Sequence, residues 1–247
     1  MNITDREKLY LLFRENADVL GTNRTTIVAL KSFINAVKLL RCKEKYLLTQ
    51  YAELIEAIKN TEPRIVPLIH LIEQFETEIR VYADASYDEI RNQTIRILKQ
   101  KIKLFESMTE EVIQVGRQHV RENDVIITHS ASTVVKRVLI EAKKELNRKF
   151  SVIILRQDFV KTKQMIVWLT EAGIDFIVVP EYSLSLLPDK ATKMFIGAVS
   201  VTHDKQAVAV VGTASVVSFC HINHIPVYLF VKSLKFSHQP CTHQHIY

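Results

Sequence analysis

Four short segments in the second half of the chain are candidate ligand-binding loops: 128–131, 156–158, 197–199 and 212–214. Together they supply hydroxyl groups, an imidazole, a guanidinium and glycine N–H groups, which are the groups that hold a phosphate in proteins. The candidate binding residues are Thr128, His129, Ser130, Arg156, Gly197, Gly212 and Thr213.

The pair Gly212 and Thr213 stands where a helix is predicted to begin. A helix N-terminus has free backbone N–H groups, and the threonine adds a hydroxyl, so the pair is suited to a phosphate. The same residues also fit a structural role, in which Gly212 relieves a tight turn and Thr213 caps the helix. From these two residues alone we favour the structural role.

Two further groups of residues could do chemistry. The hydroxyls of 130–133 lie near His129 and suggest a nucleophile, but no Gly-x-Ser-x-Gly elbow accompanies them, so we predict that one of them caps a helix. The segments 220–224 and 241–245 contain cysteine and histidine without the paired spacing of a structural zinc site. The residues therefore predict no metal, no cofactor and no catalytic residue.

The elements that position these segments form an alternating pattern after residue 123. Short apolar runs alternate with helical stretches at about 131–147, at about 161–172, and between Thr213 and Pro226. Such a pattern indicates an α/β fold with a mainly parallel sheet covered on both faces, in which ligands bind beyond the carboxyl ends of the strands. The strand candidates are Val125–Thr128, Val152–Leu155, Phe176–Val179, Met194–Ile196 and Val227–Val231.

The first half of the chain has helical periodicity instead. Apolar residues recur on one helical face over 27–37 and again over 102–112. Ser86 followed by Glu89 has the form of a capping box that opens a long helix toward Val115. We therefore predict a helical N-terminal domain, 1–122, followed by a Rossmann-like domain, 123–247.

Composition limits the class of protein further. Hydrophobic residues make up 47% of the chain, and no apolar run approaches the roughly 20 residues that span a bilayer. The N-terminus lacks the form of a signal peptide, and three scattered cysteines predict a reducing cytoplasm. The net charge of +6 could attract a phosphorylated ligand, an acidic protein or RNA. Without an Arg-rich tract or an aromatic-interleaved motif we interpret it as a solvated basic surface and expect no direct nucleic-acid binding.

Several short motifs resemble one known family. Gly197-Ala198, Gly212-Thr213, the strand 225–228 and the segment 232–236 follow one another at spacings similar to those of the alpha, beta and delta regulatory subunits of translation initiation factor 2B. The same motifs resemble the related ribose-1,5-bisphosphate and methylthioribose-1-phosphate isomerases. Upstream, 124–129 resembles the family's first strand and its Thr-His loop.

The resemblance extends over almost the whole chain. The segment 179–188 is most similar to the delta-type subunit, and in the helical half 16–21 and 62–68 resemble the family's early loop and its Arg-Pro turn. The resemblance implies the two-domain fold predicted above. It also implies that Lys235 lies near a ligand pocket, although an ordinary surface lysine fits the sequence equally well.

The chain departs from the isomerases at the positions that would carry catalysis. The isomerases have a cysteine just after the Thr-His pair and an aspartate just after the Gly-Ala pair, where this chain has Ser130 and Val199. Ala209-Val210 replaces an Asn-Lys pair, and 155–158 keeps little of a Glu-Ser-Arg-Pro loop. Aldose–ketose isomerisation needs a positioned acid and base, and valine supplies neither. We therefore expect no enzymatic activity.

The resemblance implies a non-catalytic protein that assembles through its Rossmann-like domain, either as a homodimer or as a hetero-oligomer with related subunits. By the same resemblance the helical domain would sense the phosphorylated state of initiation factor 2. Two alternatives stay open. One is a sensor that binds a sugar phosphate or a nucleotide without turnover, and the other is an isomerase that uses unfamiliar residues.

Overall fold

A computed structural model describes residues 3–40, 46–60, 64–129, 131–156, 159–187 and 190–238, with the backbone alone for 3–20. The described residues fall into two compact units. The first lies within Met1–Ser107, Thr202–Asp204 and Leu234–His245, and the second within Met108–Val201 and Lys205–Ser233. The domain boundary after residue 122 stays a prediction.

Helices build the first unit. They are α1 (Ile3–Leu39), α2 (Leu47–Lys59), α3 (Val66–Ile79) and α4 (Tyr87–Arg117), of which α4 continues into the second unit. Helix α1 is broken at Gly21, whose φ of 72° lies outside helical geometry. Pro67 stands in the first turn of α3, where its missing N–H costs no hydrogen bond.

The apolar faces predicted from periodicity form the core of this unit. Leu30, Ile34 and Val37 are buried along α1, and Phe105 is buried on α4. The ring of Phe33 packs edge-to-face on that of Phe75 at a centroid distance of 5.3 Å. The amide of Glu89 donates to the Ser86 hydroxyl at 3.4 Å, which confirms the predicted start of α4. No described residue before Val125 forms a strand.

A five-stranded parallel sheet forms the centre of the second unit. Its strands are β1 Val125–Thr128, β2 Ser151–Arg156, β3 Asp175–Pro180, β4 Lys193–Gly197 and β7 Val227–Phe230. They lie in the order β3-β2-β1-β4-β7, with the register Thr128↔Ile154 and Thr128↔Phe195 around the central β1. All five predicted strands are confirmed.

Helices cover both faces of the sheet. Helices α5 (Thr133–Lys144) and α6 (Phe159–Glu171) pack on one face, and α7 (Thr213–Ile222) packs on the other. Alternate strand residues accordingly face different cores: Ile126 packs against α5 and α6, and Ile127 against α7. The winding direction changes between β1 and β4, so the carboxyl ends of these two strands flank the crevice in which Rossmann-like sheets bind ligands.

Two elements of this unit were not expected from the sequence. One is the antiparallel hairpin of β5 (Ser200–Val201) and β6 (Ala207–Val208), and the other is the 3-10 helix Glu181–Leu186 directly after β3. Strands of two residues are too short to produce an alternating pattern. Helix α5 is also shorter than the predicted 131–147, because the chain turns after Lys144.

A buried ion pair joins the amino ends of β1 and β4. The ammonium of Lys193 lies 2.7 Å from a carboxylate oxygen of Asp124 and donates to the carbonyl of His119 at 2.9 Å. The other oxygen of Asp124 accepts from the Thr192 hydroxyl at 2.9 Å. This cluster lies at the sheet edge opposite the crevice, so it stabilises the sheet and leaves the carboxyl ends free for a site.

Candidate functional site

His129 follows β1 directly and is the most constrained of the predicted site residues. Its side chain has no solvent-accessible surface. Its Nδ1 lies 2.9 Å from the hydroxyl oxygen of Thr213, and its Nε2 lies 3.1 Å from a carboxylate oxygen of Glu181. The imidazole therefore joins the end of β1, the start of α7 and the 3-10 helix after β3.

The identity of the partners indicates the tautomer of this imidazole. A carboxylate accepts hydrogen bonds, so Nε2 carries the proton that is donated to Glu181. In the neutral ring Nδ1 then accepts from the Thr213 hydroxyl. Both ring nitrogens of His129 are thus used by the protein's own side chains.

The start of α7 requires glycine at position 212, because of the backbone conformation there and because of the nearby Glu181 side chain. Its φ of +88° lies in the left-handed region, which favours glycine. A Cβ at this position would lie 2.6 and 2.9 Å from the two carboxylate oxygens of Glu181. The carboxylate of Glu181 therefore lies directly against the N-terminus of α7, where an external phosphate was the alternative to the structural role.

Sequence reasoning missed Glu181. The residue follows β3 at the same sheet edge as Thr128, and in that position it could have been noted as the only carboxylate among the described residues of 176–187. The signal is weak, because an acidic residue after a strand is common on protein surfaces. What gives Glu181 its importance is its contact with His129 and Gly212.

Gly197, at the end of β4, is also closely packed. A Cβ there would lie 2.5 Å from the hydroxyl oxygen of Ser132. Ser132 caps α5 and accepts from the amide of Val135 at 3.4 Å, which confirms that a hydroxyl of this segment has a capping role. The close approach of Gly197 and Ser132 brings the β4 loop against the start of α5.

The remaining predicted residues take different positions. Thr128 is buried at the end of β1, and Arg156 is exposed at the end of β2, in register with Pro180. Ser130 lies outside the described residues. Lys235 belongs to the first unit and is 6% exposed, and its burial lowers the pKa of its ammonium to about 8. An anion-binding role for these residues stays a prediction.

One pocket at the crevice is small. It lies beside Thr128 and His129, is lined on its other sides by residues of β2 and α6, and has room for about one water molecule. Lys161 and Thr162 supply its polar groups besides those of the β1 loop. A sugar phosphate does not fit this pocket as it stands.

The sequence predicts no metal site, and the described part of the chain can be searched for clusters of ligand side chains. No group of three His, Cys, Asp or Glu side chains there is placed to hold a metal ion. Cys220 is buried against the sulfur of Met194 at 3.6 Å, and its burial raises the pKa of the thiol to about 11. His221 and His224 are exposed. The tail segment 241–245 lies outside the described residues.

The helices can also be compared with what a bilayer requires. Within the ranges that the structure describes, no helix is both long enough and apolar enough to cross a membrane.

The sequence matches the initiation factor 2 subunit family over residues 18–247. Among individual relatives, a translation initiation factor eIF-2B subunit 2-like protein of Pyrococcus horikoshii is 31% identical over 137 residues, which is 55% of this chain and 49% of that protein. Translation initiation factor eIF2B subunit delta of Schizosaccharomyces pombe is 26% identical over 231 residues, 90% of this chain and 49% of the relative. The chain spans about half the length of these two relatives.

An enzyme is also among the relatives. Ribose 1,5-bisphosphate isomerase of Archaeoglobus fulgidus is 22% identical over 187 residues, 74% of this chain and 57% of the enzyme.

Solved structures share the fold. The crystal structure of the Pyrococcus horikoshii OT3 translation initiation factor eIF-2B superposes with a TM-score of 0.79 at 23% identity, over 97% of this chain and 84% of that one. The tetrameric eIF2B-beta2-delta2 complex from C. thermophilum contains a chain with a TM-score of 0.79 at 19% identity, over 94% and 78%. At these identities the comparison shows the fold alone, which consists of a helical part and a Rossmann-like domain with a mainly parallel sheet.

Proposed function

The chain belongs to the initiation factor 2 subunit family, and from that premise we propose that it is a non-catalytic regulatory subunit that acts through assembly with related subunits in the control of translation initiation. Its partners are a second copy of itself or related beta- and delta-type subunits, and initiation factor 2 is the target that the helical domain, 1–122, would contact. Its compartment is the cytoplasm.

The observation that carries this proposal is the state of the crevice. The pocket beside Thr128 has room for about one water molecule, and His129 is held on both ring nitrogens by protein groups. Val199, where the isomerases resembled by this chain have an acid, can neither donate nor accept a proton. A pocket of this size, with valine at the position of the isomerases' acid, supports assembly over catalysis.

The solved relatives support the proposed assembly with related subunits. One of the structures with this fold is a tetramer of beta- and delta-type subunits. By analogy, the Rossmann-like domain of this chain, 123–247, provides the surface that binds a related subunit. Because fold similarity alone does not fix function, the test has to detect the complex directly.

The experiment is affinity capture of the tagged chain from lysate of its own organism, followed by sedimentation velocity of the chain alone and of the chain mixed with each captured subunit. We expect a related subunit in the eluate and a faster-sedimenting species in the mixture. The control variant Lys163→Met, at an exposed position of α6, should be captured and should sediment like the wild type. A chain that stays monomeric when concentrated and retains no related subunit contradicts the proposal.

A second candidate function is a sensor that binds a sugar phosphate or a nucleotide without turnover. The left-handed Gly212 at the N-terminus of α7, followed by Thr213, is the observation that favours it. The test is thermal unfolding against a panel of sugar phosphates and nucleoside monophosphates. A ligand at about 100 times its dissociation constant adds roughly 2.7 kcal/mol, and each kcal/mol shifts the midpoint of a chain of this size by about 2–4 °C. No shift across the panel removes this candidate.

An active isomerase is the remaining alternative. We expect no product after long incubation with ribose 1,5-bisphosphate, and we expect the double variant Ser130→Cys, Val199→Asp to remain inactive because the pocket lacks room for the substrate. Product formed by the wild-type chain would overturn its assignment as non-catalytic. The readout is the appearance of the ketose phosphate by NMR.

A further inference from the structure

Glu181 is a charged side chain of the crevice that neither the assembly proposal nor the isomerase alternative uses. It begins the 3-10 helix Glu181–Leu186, immediately after Pro180 at the end of β3. Its side chain is 32% exposed, so the carboxylate lies at the mouth of the crevice with one side toward solvent.

The carboxylate contacts both groups that would receive an incoming phosphate. It accepts from Nε2 of His129 at 3.1 Å, and its two oxygens face the α-carbon of Gly212 so closely that a methyl group would lie 2.6 Å away. An anion at this edge of the sheet would need the same imidazole proton and the same helix end.

From these contacts we propose that Glu181 is a built-in anion: an autoinhibitory contact in which the carboxylate occupies the position of an external phosphate and closes the crevice to phosphorylated ligands. The inference deepens the second candidate function, that of a sensor, and does not depend on assembly with other subunits. It accounts for the contact of the Glu181 carboxylate with His129 and Gly212, the groups that would otherwise face an incoming phosphate.

Electrostatics makes the closure effective. A phosphate that approached His129 would stand within a few ångströms of the Glu181 carboxylate, and like charges this close repel each other strongly at a partly buried site. The imidazole offers no second site, because its Nδ1 is already bonded to Thr213. A phosphate therefore enters only if Glu181 is removed, neutralised or withdrawn.

The test uses inorganic phosphate as the probe and the full chain as the protein. Glu181→Ala removes the charge and the bulk, and Glu181→Gln removes the charge while keeping a group of the same size. Glu171→Gln, at the exposed end of α6, is the matched control for loss of one carboxylate. Binding is measured by calorimetry and by the broadening of the phosphorus NMR signal.

We expect Glu181→Ala to bind inorganic phosphate at least about tenfold more tightly than the wild type, Glu181→Gln to lie between them, and Glu171→Gln to match the wild type. Equal binding by the wild type and Glu181→Ala would overturn the inference, since nothing would then be blocked. Absence of binding in all variants would overturn it as well, because this edge of the sheet would then have no affinity for phosphate that Glu181 could block.

Two further measurements separate closure from a loss of structure. Nitrogen NMR of the wild type should show His129 with its proton on Nε2, and Glu181→Gln, which still offers an acceptor oxygen, should keep that tautomer and fold normally. A wild-type imidazole protonated on Nδ1 alone would contradict the contact itself. Capture of related subunits should be the same for Glu181→Ala and wild type, so failure of the assembly proposal and failure of this inference give different results.

Discussion

At the scale of single residues, the crevice is organised by hydrogen bonds and by two glycines. His129 holds three loops together through its two nitrogens, and Gly212 and Gly197 leave no room for a side chain against Glu181 and Ser132. Each contact can be altered by a single substitution. The residue scale therefore offers the sharpest tests of the geometry.

Gly212→Ala should destabilise the chain more than Gly173→Ala. Both glycines have positive φ, at 88° and 65°, but a Cβ meets the Glu181 carboxylate only at Gly212, and nothing lies within 4 Å at Gly173. We expect Gly173→Ala to cost about 1 kcal/mol through the left-handed backbone, and Gly212→Ala at least about 1 kcal/mol more. Urea unfolding measures both, and adding Glu181→Ala to Gly212→Ala should remove most of the excess. Equal costs at the two glycines would show that the contact with Glu181 is absent.

The buried Lys235 should make stability depend on alkaline pH. Desolvation lowers the pKa of its ammonium from 10.5 to about 8 in the folded chain, so the unfolded chain binds more protons between these values. The penalty for burying the charge is full below pH 8 and is relieved as the pH rises toward 10.5. The free energy of unfolding of wild type relative to Lys235→Met should therefore increase across this window.

The exposed Lys163→Met provides the control for that series, because a lysine on the surface of α6 has no burial penalty to lose. Its difference from wild type should stay constant over the same pH range. A constant difference for Lys235→Met as well would show that Lys235 is solvated in the folded chain.

At the scale of elements, the second unit depends on close packing of helices against the sheet and on one buried ion pair. The end of α4 approaches α5 and β7 at Gly116, where a Cβ would lie 2.6 Å from a methyl of Val138 and 3.0 Å from the ring of Phe230. The ends of β1 and β4 are joined by Asp124 and Lys193. Both features fix how neighbouring elements are placed.

Gly116→Ala should be destabilising although it lies inside a helix. Alanine normally stabilises a helix by about 1 kcal/mol relative to glycine, but overpacking against Val138 should cost about 1–3 kcal/mol and outweigh that gain. Val138→Ala leaves a cavity and is destabilising by itself. The double variant should be more stable than the sum of the single costs predicts, as measured by thermal unfolding. A Gly116→Ala variant as stable as wild type would refute the close packing.

Lys193→Met should cost about 3–5 kcal/mol, because it leaves the carboxylate of Asp124 buried without its cation. The pair can instead be removed together, and Asp124→Asn with Lys193→Met should cost clearly less than the two single changes added. Chemical denaturation gives all three values, with the exposed Lys190→Met as control. Additive costs would indicate that the two side chains do not interact.

At the scale of the whole molecule, the family and the fold are known and the assembly is proposed. Association that involves only the folded chain stabilises it by mass action. Thermal stability therefore reports on assembly without any partner being identified in advance.

The midpoint of thermal unfolding should rise with protein concentration if the chain forms homodimers. Scans at concentrations spanning about two orders of magnitude would show an increase of several degrees, because each tenfold change in concentration shifts the equilibrium by about 1.4 kcal/mol. Scans with an added related subunit test the hetero-oligomer in the same way. A midpoint that depends on neither concentration nor the added subunit would favour a monomer.

Much of the fold could be predicted from the sequence because the signals are local. Periodic apolar residues on α1 and α4, and apolar runs such as Ile126-Ile127, report on which face of an element is buried. The order of the motifs from Gly197 to Phe236 was sufficient to indicate the family. The β5–β6 hairpin was missed because strands of two residues carry no pattern.

The sequence by itself thus determined the helices, the five parallel strands, the family and the loops that end at the crevice. Only the tertiary structure decided what those loops do to one another. Glu181 and Thr213 meet His129 across 52 and 84 residues of chain, and such contacts depend on the order β3-β2-β1-β4-β7, which brings the carboxyl ends of distant strands to one edge. Local patterns encode which residues are buried, whereas the partner of a buried imidazole follows from how the packed elements are arranged.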